Sequence, residues 1–393
     1  MKKVAIYTGS YPDTTFLTLL ARGLAENGVE VQIYGKLKSI SPKDKHLKLY
    51  TYSNKNKIYN LYFLLKYVCL NFFVNFKKTL LLYRRLKNKS RYDIYKRSLV
   101  LLPILFHKPE IIHIQWIRSF EIFENMEDIL QTKFIISIRG TQLSVSSFLY
   151  PEVRRITVKA TNSAIKIHSI SDDLTEQLLE INPSIKNKIV KINPGIDLEQ
   201  FSLPTTFFRR EKQYPLQIIS VCRLSWKKGL DYALHALSYL HKKNINFEWT
   251  IIGEGSQKEE LEFLIHDLEM VNIVKLVGKM KHNEIRNFLL ESDVFLLPSI
   301  QEGFSNAVAE AQAIGLPCLV SDAEGLEENI ENDKTGYVFR KRNVEELACL
   351  LEKFDKLPQS EYLKMKLNGT ERAKKKYNLH DQIKAFKCLY ESV

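Results

Sequence analysis

Residues Ser299–Asp322 read SIQEGFSNAVAEAQAIGLPCLVSD. The apolar run Val294–Leu297 leads into this stretch and stops at Pro298, which predicts a buried strand followed by a short loop. Ser305 stands where a helix N-cap is wanted, before the run from Ala307 to Ala313, and Cys318–Val320 begins another strand. The loop therefore lies at the carboxyl end of a parallel strand, with the unpaired N–H groups and dipole of a helix facing it. That is a ready anion site. Gly303 lets the backbone come close. Two acids flank the turn, Glu302 before the helix and Glu310 within it. Carboxylates repel phosphate, so their natural partners are hydroxyls on either side of an anion, a sugar at one end of a pyrophosphate and a ribose at the other.

Outward from this unit the same rhythm repeats. Leu216–Val221, Phe247–Ile252 and Ile273–Val277 read as strands of the same half. Val4–Tyr7, Val29–Tyr34, Ile111–Trp116, Phe134–Ile138, Ala164–Ile170 and Ile189–Ile192 read as strands of the other, with amphipathic stretches between. The helix Phe16–Glu26 stops at Asn27 and Gly28. At 393 residues the chain exceeds the size at which one core keeps growing. The expected fold class is α/β with two doubly wound, Rossmann-like domains. Breakers and charges without periodicity, including Pro194, Gly195, Pro204 and the cluster Arg209–Lys212, mark 193–213 as the linker. Residues 1–197 form the expected first domain and 198–376 the second. In 377–393, Leu379, Ile383, Phe386 and Leu389 predict a last amphipathic helix; a return to the first domain is one way it could pack.

Charged residues at 26% and aromatics at 11% exclude intrinsic disorder. The five cysteines are widely spaced, without a C-x-x-C pair, which argues against a disulfide framework or zinc knuckle and for a reducing, cytoplasmic location. Only Val4, Ala5 and Ile6 follow the first lysines before Tyr7, too few for a signal-peptide core. The formal charge of +13 is local: residues 54–108 hold thirteen Lys and Arg and a single acid, Asp93, a net of +12. Aromatics interleave with these cations. The longest uncharged run, Tyr67–Phe76, is half the roughly 20 residues a bilayer span needs. Two readings stand side by side: interfacial helices on an anionic membrane, or core-packing helices with solvated basic faces. Nucleic acid is disfavoured, since no binding motif accompanies the charge.

Arg223, past the Leu216–Val221 strand, and Lys228, before Gly229, belong at the same sheet edge as the Glu302 turn, where cations can balance a pyrophosphate. Gly253-Glu254-Gly255 and Gly278-Lys279-Met280 follow the next two strands. No metal-ligand spacing is visible. His113 lies on the strand Ile111–Trp116, either as a core histidine or as an acceptor-side group, and Arg139 is either a structural ion pair or a group at a sugar or an anionic acceptor.

The ordered set Arg223, Lys228, Gly253-Glu254-Gly255, Gly278 and Glu302-x7-Glu310 resembles family 4 of the retaining, nucleotide-sugar-dependent glycosyltransferases of GT-B fold. Asn193-Pro194-Gly195-Ile196-Asp197 with Phe201 is similar to that family's turn at the domain junction. The resemblance is strong over the C-terminal half and loose over the N-terminal half. It implies a UDP- or GDP-sugar as co-substrate and no metal or other cofactor. Arg223 and Lys228 would hold the donor diphosphate, Glu302 the transferred sugar and Glu310 the ribose. Gly9, Gly253, Gly278, Lys279, Met280, Gly303, Phe304, Ser305 and Asn306 would complete donor binding. Two departures touch the acceptor side: Gly9-Ser10-Tyr11-Pro12 replaces a small-residue pair, and Arg139-Gly140 replaces His-Gly. The expected protein is thus a transferase with a saccharide acceptor, lipid-linked and in surface polysaccharide or glycolipid assembly, peripheral on the inner face of the cell membrane. The alternatives are the same fold with a small soluble acceptor, or a non-catalytic polyanion-binding scaffold.

Overall fold

A computed structural model describes residues 2–140, 142–204 and 214–393; the Arg209–Lys212 cluster lies outside them. The chain divides into two compact units, Met1–Ile192 with His380–Val393, and Asn193–Leu379.

The first unit is built on a seven-stranded sheet: β1 (Lys3–Tyr11), β2 (Glu30–Leu37), β3 (Lys48–Ser53), β4 (Ile111–Ile114), β5 (Lys133–Ile138), β6 (Ala164–Ser169) and β7 (Ile189–Lys191). The order is β3-β2-β1-β4-β5-β6-β7. Every pairing is parallel, and Val4 sits in register with Val31 on one side and Ile111 on the other. Such strands are buried on both faces, which is why they read as continuous Val and Ile runs. Strand order reverses between β1 and β4, the switch point beyond whose carboxyl ends open α/β sheets hold ligands. The helix Leu379–Glu391 groups with this unit from His380 onward. Ile383 fills the space that Gly23 leaves open, since a Cβ on Gly23 would stand 2.2 Å from the Ile383 Cδ1.

Three helices, Lys57–Val74, Phe76–Leu86 and Arg91–His107, come from the basic segment. Pro103 lies inside the third, and Asn71 and Asn75 of the neighbouring stretch donate to the Leu102 and Leu105 carbonyls at 2.9 and 3.3 Å.

The second unit carries β8 (Leu216–Val221), β9 (Phe247–Ile252), β10 (Val274–Gly278), β11 (Val294–Leu297), β12 (Cys318–Ser321) and β13 (Gly336–Phe339) in the order β10-β9-β8-β11-β12-β13. Its switch point lies between β8 and β11. Val294 and Leu296 enter one apolar cluster with Trp249, while Phe295 and Leu297 enter another with Val308, so the alternation along β11 fills both faces. Within this unit the turn at Gly195 is fastened to the end of the Gln359–Lys376 helix. The Ile196 N–H donates to the Tyr377 carbonyl at 2.8 Å, and the Leu379 N–H to the Ile196 carbonyl at 3.2 Å. A Cβ on Gly195 would stand 2.6 Å from the Leu379 Cα, so the residue there must be glycine.

Candidate functional site

At the carboxyl edge of the second sheet, the loops after β8 and β11 meet across the switch point. The Ile300 N–H donates to the Lys227 carbonyl at 2.7 Å. Gly229 adopts φ +59, and a Cβ there would stand 2.3 Å from the Pro298 carbonyl oxygen. This close approach brings Lys228 to Glu302, and the two form a half-buried ion pair. Arg223 is exposed on the same loop. Lys227, which the sequence reading passed over, belongs with them: burial, and then the Arg223 charge, lower its proton affinity. The Glu302 backbone N–H donates to the Glu324 carboxylate at 2.9 Å, and Lys341 pairs with that carboxylate at 3.3 Å.

The helix Asn306–Ala313 begins where the sequence placed it. Ser305 Oγ accepts from the Val308 N–H at 3.3 Å, and Asn329 brackets the Ser305 backbone, accepting its N–H at 2.9 Å and donating to its carbonyl at 3.0 Å. Asn329 is far away in sequence and carried no motif signal. Gly303 is buried, with Phe304 and Asn306 half-buried beside it, and the Phe304 ring meets Tyr377 edge-on at 5.3 Å. Glu310 is 8 % exposed, and burial pushes its carboxyl up to about 8. Its Oε1 lies 3.4 Å from His282 Nε2. Burial has the opposite effect on His282 and lowers its proton affinity. At neutral pH the contact therefore joins an uncharged ring to a protonated carboxyl and is not an ion pair.

Gly253 and Gly255 act on the neighbouring loop. A Cβ on Gly253 would lie 1.8 Å from the Cys222 carbonyl oxygen, and one on Gly255 1.9 Å from that of Leu224. These glycines let the β9 loop pack on the backbone that carries Arg223. Gly278 ends β10 in the left-handed region with open space where a Cβ would be, followed by exposed Lys279 and half-buried Met280.

In the first unit, Gly9 has φ +86, and a Cβ on it would meet nothing within 4 Å. His113 is fully buried, in a core position. His168 Nε2 faces the Ile192 carbonyl at 2.9 Å and must donate there, so its Nδ1 accepts from Ser137 Oγ at 2.8 Å. Ser137 then accepts from His113 Nε2 at 2.8 Å, and His113 Nδ1 accepts from the Tyr390 hydroxyl at 2.7 Å. Both nitrogens of His113 are committed, and burial holds both rings neutral. Arg139 is 8 % exposed. It donates to Gln115 Oε1 at 2.9 Å and lies 4.9 Å over the Phe16 ring. Burial lowers it to about 10, so it stays charged at neutral pH. Its Nε has no hydrogen-bond partner among the described residues. A buried cation with an unmatched donor is costly until a hydrogen-bond acceptor reaches it.

Residues 205–376 match the model of the family described as Glycosyl transferases group 1. The chain resembles the group 1 glycosyltransferases. Over 192 residues it is 37% identical to the amylovoran biosynthesis glycosyltransferase AmsK of Erwinia amylovora, covering 45% of this chain and 46% of that protein. Over 199 residues it is 31% identical to the putative colanic acid biosynthesis glycosyltransferase WcaL of Escherichia coli, covering 49% and 48%. The chain thus spans about half the length of these curated relatives. Among solved structures, HepE of Anabaena in complex with UDP superposes over all of both chains with a TM-score of 0.74 at 14% identity, a likeness of fold. The fold is GT-B.

In this glycosyltransferase-like chain the first two helices of the basic segment leave large apolar side chains exposed. The helix Lys57–Val74 buries a narrow stripe of Asn60, Phe63, Tyr67 and Asn71. Its two asparagines are satisfied inward, Asn60 at Ser53 and Asn71 at Leu102. The outward side is apolar: Ile58 and Phe73 are 83% and 84% exposed, with Leu61, Leu65 and Phe72 also exposed. Phe72 meets Phe73 and Phe76 with ring centroids 5.6 and 5.1 Å apart. Lys66, Lys77 and Arg84 are exposed on the same two helices. Core packing, the second reading of the sequence, accounts for that stripe, for Leu82 and Leu86 of the second helix and for Leu99–Leu105 of the third. Among the described residues no helix is long and apolar enough to cross a membrane.

Proposed function

We propose that the protein is a retaining glycosyltransferase. It moves a hexose-type sugar from a UDP- or GDP-linked donor to a lipid-linked saccharide acceptor in the assembly of a surface polysaccharide. The observation that carries this reading is the meeting of Arg223, Lys228, Glu302 and the capped start of the Asn306–Ala313 helix at one sheet edge. In the transfer, the bond from the anomeric carbon to the phosphate oxygen breaks with its electron pair passing to the nucleoside diphosphate. A bond from the anomeric carbon to the acceptor oxygen forms as the hydroxyl proton passes to the leaving diphosphate oxygen. Negative charge grows on the leaving diphosphate, and Arg223, Lys228 and the helix N-terminus are the groups that stabilise it, without a metal. Glu302 releases Lys228 to the phosphate and turns to the sugar hydroxyls, and Glu310 meets the ribose. The relatives named for amylovoran and colanic acid synthesis support a saccharide acceptor, and HepE, solved with UDP, supports a nucleotide-linked donor.

The exposed apolar and cationic helices support docking on the anionic inner face of the cell membrane, rings at the headgroup boundary and cations on lipid phosphate. A soluble acceptor or a non-catalytic scaffold would leave this surface, or the paired Lys228 and Glu302, without a use. Proton NMR of the anomeric centre in donor and product tests retention, and an inverted product overturns it. Flotation with vesicles containing anionic lipid tests docking; no binding at low salt overturns that part.

A further inference from the structure

A cavity of about 930 Å3 opens in the first unit. Gly9 of β1, Lys36 of β2, Ser53 of β3 and Arg118 of the turn after β4 line it. It therefore sits beyond the carboxyl ends of the strands, across the β1/β4 switch point. The rest of the wall belongs to the basic segment, with Lys57 from the first of the three helices and Tyr92, Tyr95 and Lys96 from the third.

Lys36, Lys57, Lys96 and Arg118 face this one cavity against a single acid, Glu121. None of the four enters an ion pair among the described residues, whereas Lys48, Arg85, Arg155 and Lys159 of the same unit are all paired. Like charges gathered in a concave site repel one another and raise the local concentration of anions. The lining tyrosines Tyr52, Tyr92 and Tyr95, with polar Ser53, Asn54 and Asn60, suit the alternating C–H and hydroxyl surfaces of a sugar. Lys57, in the wall, is also the first residue of the helix whose outward side is apolar. At 1.5 Å per residue, Leu65 lies about 12 Å along that helix and Phe73 about 24 Å. A ligand with its anionic end in the cavity can therefore continue as an apolar chain along an exposed stripe that begins at the cavity wall.

We propose that this cavity binds the phosphate linkage and first sugar of a lipid-carried saccharide, with Lys36, Lys96 and Arg118 on the phosphate. The proposal rests on the reading of the protein as a membrane-docked glycosyltransferase and gives its acceptor a chemical class, a phosphate- or diphosphate-linked lipid.

Two probes separate the sources of phosphate: farnesyl diphosphate, below its micellar concentration, and inorganic diphosphate, each titrated calorimetrically into the full chain. UDP is titrated in parallel as a report on the second unit. Farnesyl diphosphate should bind at least about tenfold more tightly than inorganic diphosphate. Lys96→Gln and Arg118→Gln, both at exposed positions where folding is not at risk, should each weaken it about tenfold while UDP affinity is unchanged. Equal affinity for the two probes would assign the cavity to soluble phosphates and overturn the lipid part. Farnesyl diphosphate binding that ignores both substitutions would overturn the site. Loss of UDP binding alone, with farnesyl diphosphate still bound, would count against the catalytic reading and leave the cavity standing.

Discussion

Glu310→Gln keeps the size and neutral hydrogen-bonding character of the buried side chain and removes its proton equilibrium. In the folded chain burial lifts the carboxyl to about 8, against about 4.3 in an unfolded chain. Between those values the folded state keeps a proton that the unfolded state has released. The contribution of Glu310 is therefore intact below about pH 4 and declines as pH rises toward 8. The slope approaches about 1.36 kcal/mol per pH unit, roughly 2.5 kcal/mol between pH 5 and pH 7. His282 is present in both proteins, so its own titration cancels to first order. Because two units can unfold separately, urea titrations should follow the second unit through the fluorescence of buried Trp249. The variant should gain about 2.5 kcal/mol relative to the wild type on going from pH 5 to pH 7. A difference between the two that does not move with pH would refute the reasoning, since Glu310 would then be ionised in the folded chain at ordinary pH.

Two other outcomes are expected. Phe73→Ser removes an 84% exposed ring and should lower partition onto anionic vesicles roughly tenfold with no change in thermal stability, by flotation and calorimetry; unchanged partition would mean the helices do not insert. Tyr390→Phe leaves the His113 Nδ1 acceptor buried and unmatched, so it should destabilise the first unit by about 1–2 kcal/mol. Hydrogen exchange should quicken in the Leu379–Glu391 helix, and unaltered protection there would show that the buried relay does not hold it.

The central strands were legible because parallel strands covered on both faces must be apolar throughout: Leu216–Val221, Phe247–Ile252 and Val294–Leu297 match the observed limits. The edge strands β3 and β13 were not. KLYTYS mixes polar and apolar residues at a half-exposed edge, and GYVF opens on a glycine, a residue that reads as a turn. The Glu302 turn and its helix could be read locally, since strand end, cap and helix are adjacent in sequence. Asn329, Glu324 and His282 support that turn and its helix from elements distant in sequence, and nothing in their own surroundings marks them. The glycines of Gly253-Glu254-Gly255 were readable as a tight approach, but what they approach is the Arg223 loop. Tertiary packing also separates His113, on a strand, from Arg139, just past the end of one: the first has both nitrogens occupied, the second keeps an unmatched donor. The unit boundary falls after Ile192, where the sequence reading placed it after Asp197, because the Gly195 turn is hydrogen-bonded to the second unit's own last helix.

The claim that the second unit activates a nucleotide-linked sugar is tested most directly by release of nucleoside diphosphate from a panel of UDP- and GDP-sugars, with vesicles and extracted lipid acceptors present. At least one donor should be consumed by the wild type. Lys228→Ala, which removes one of the cations on the leaving group, should slow that reaction by roughly 100-fold or more while the protein stays folded and still binds vesicles. Release from no donor, or an equal rate in Lys228→Ala, would contradict the account.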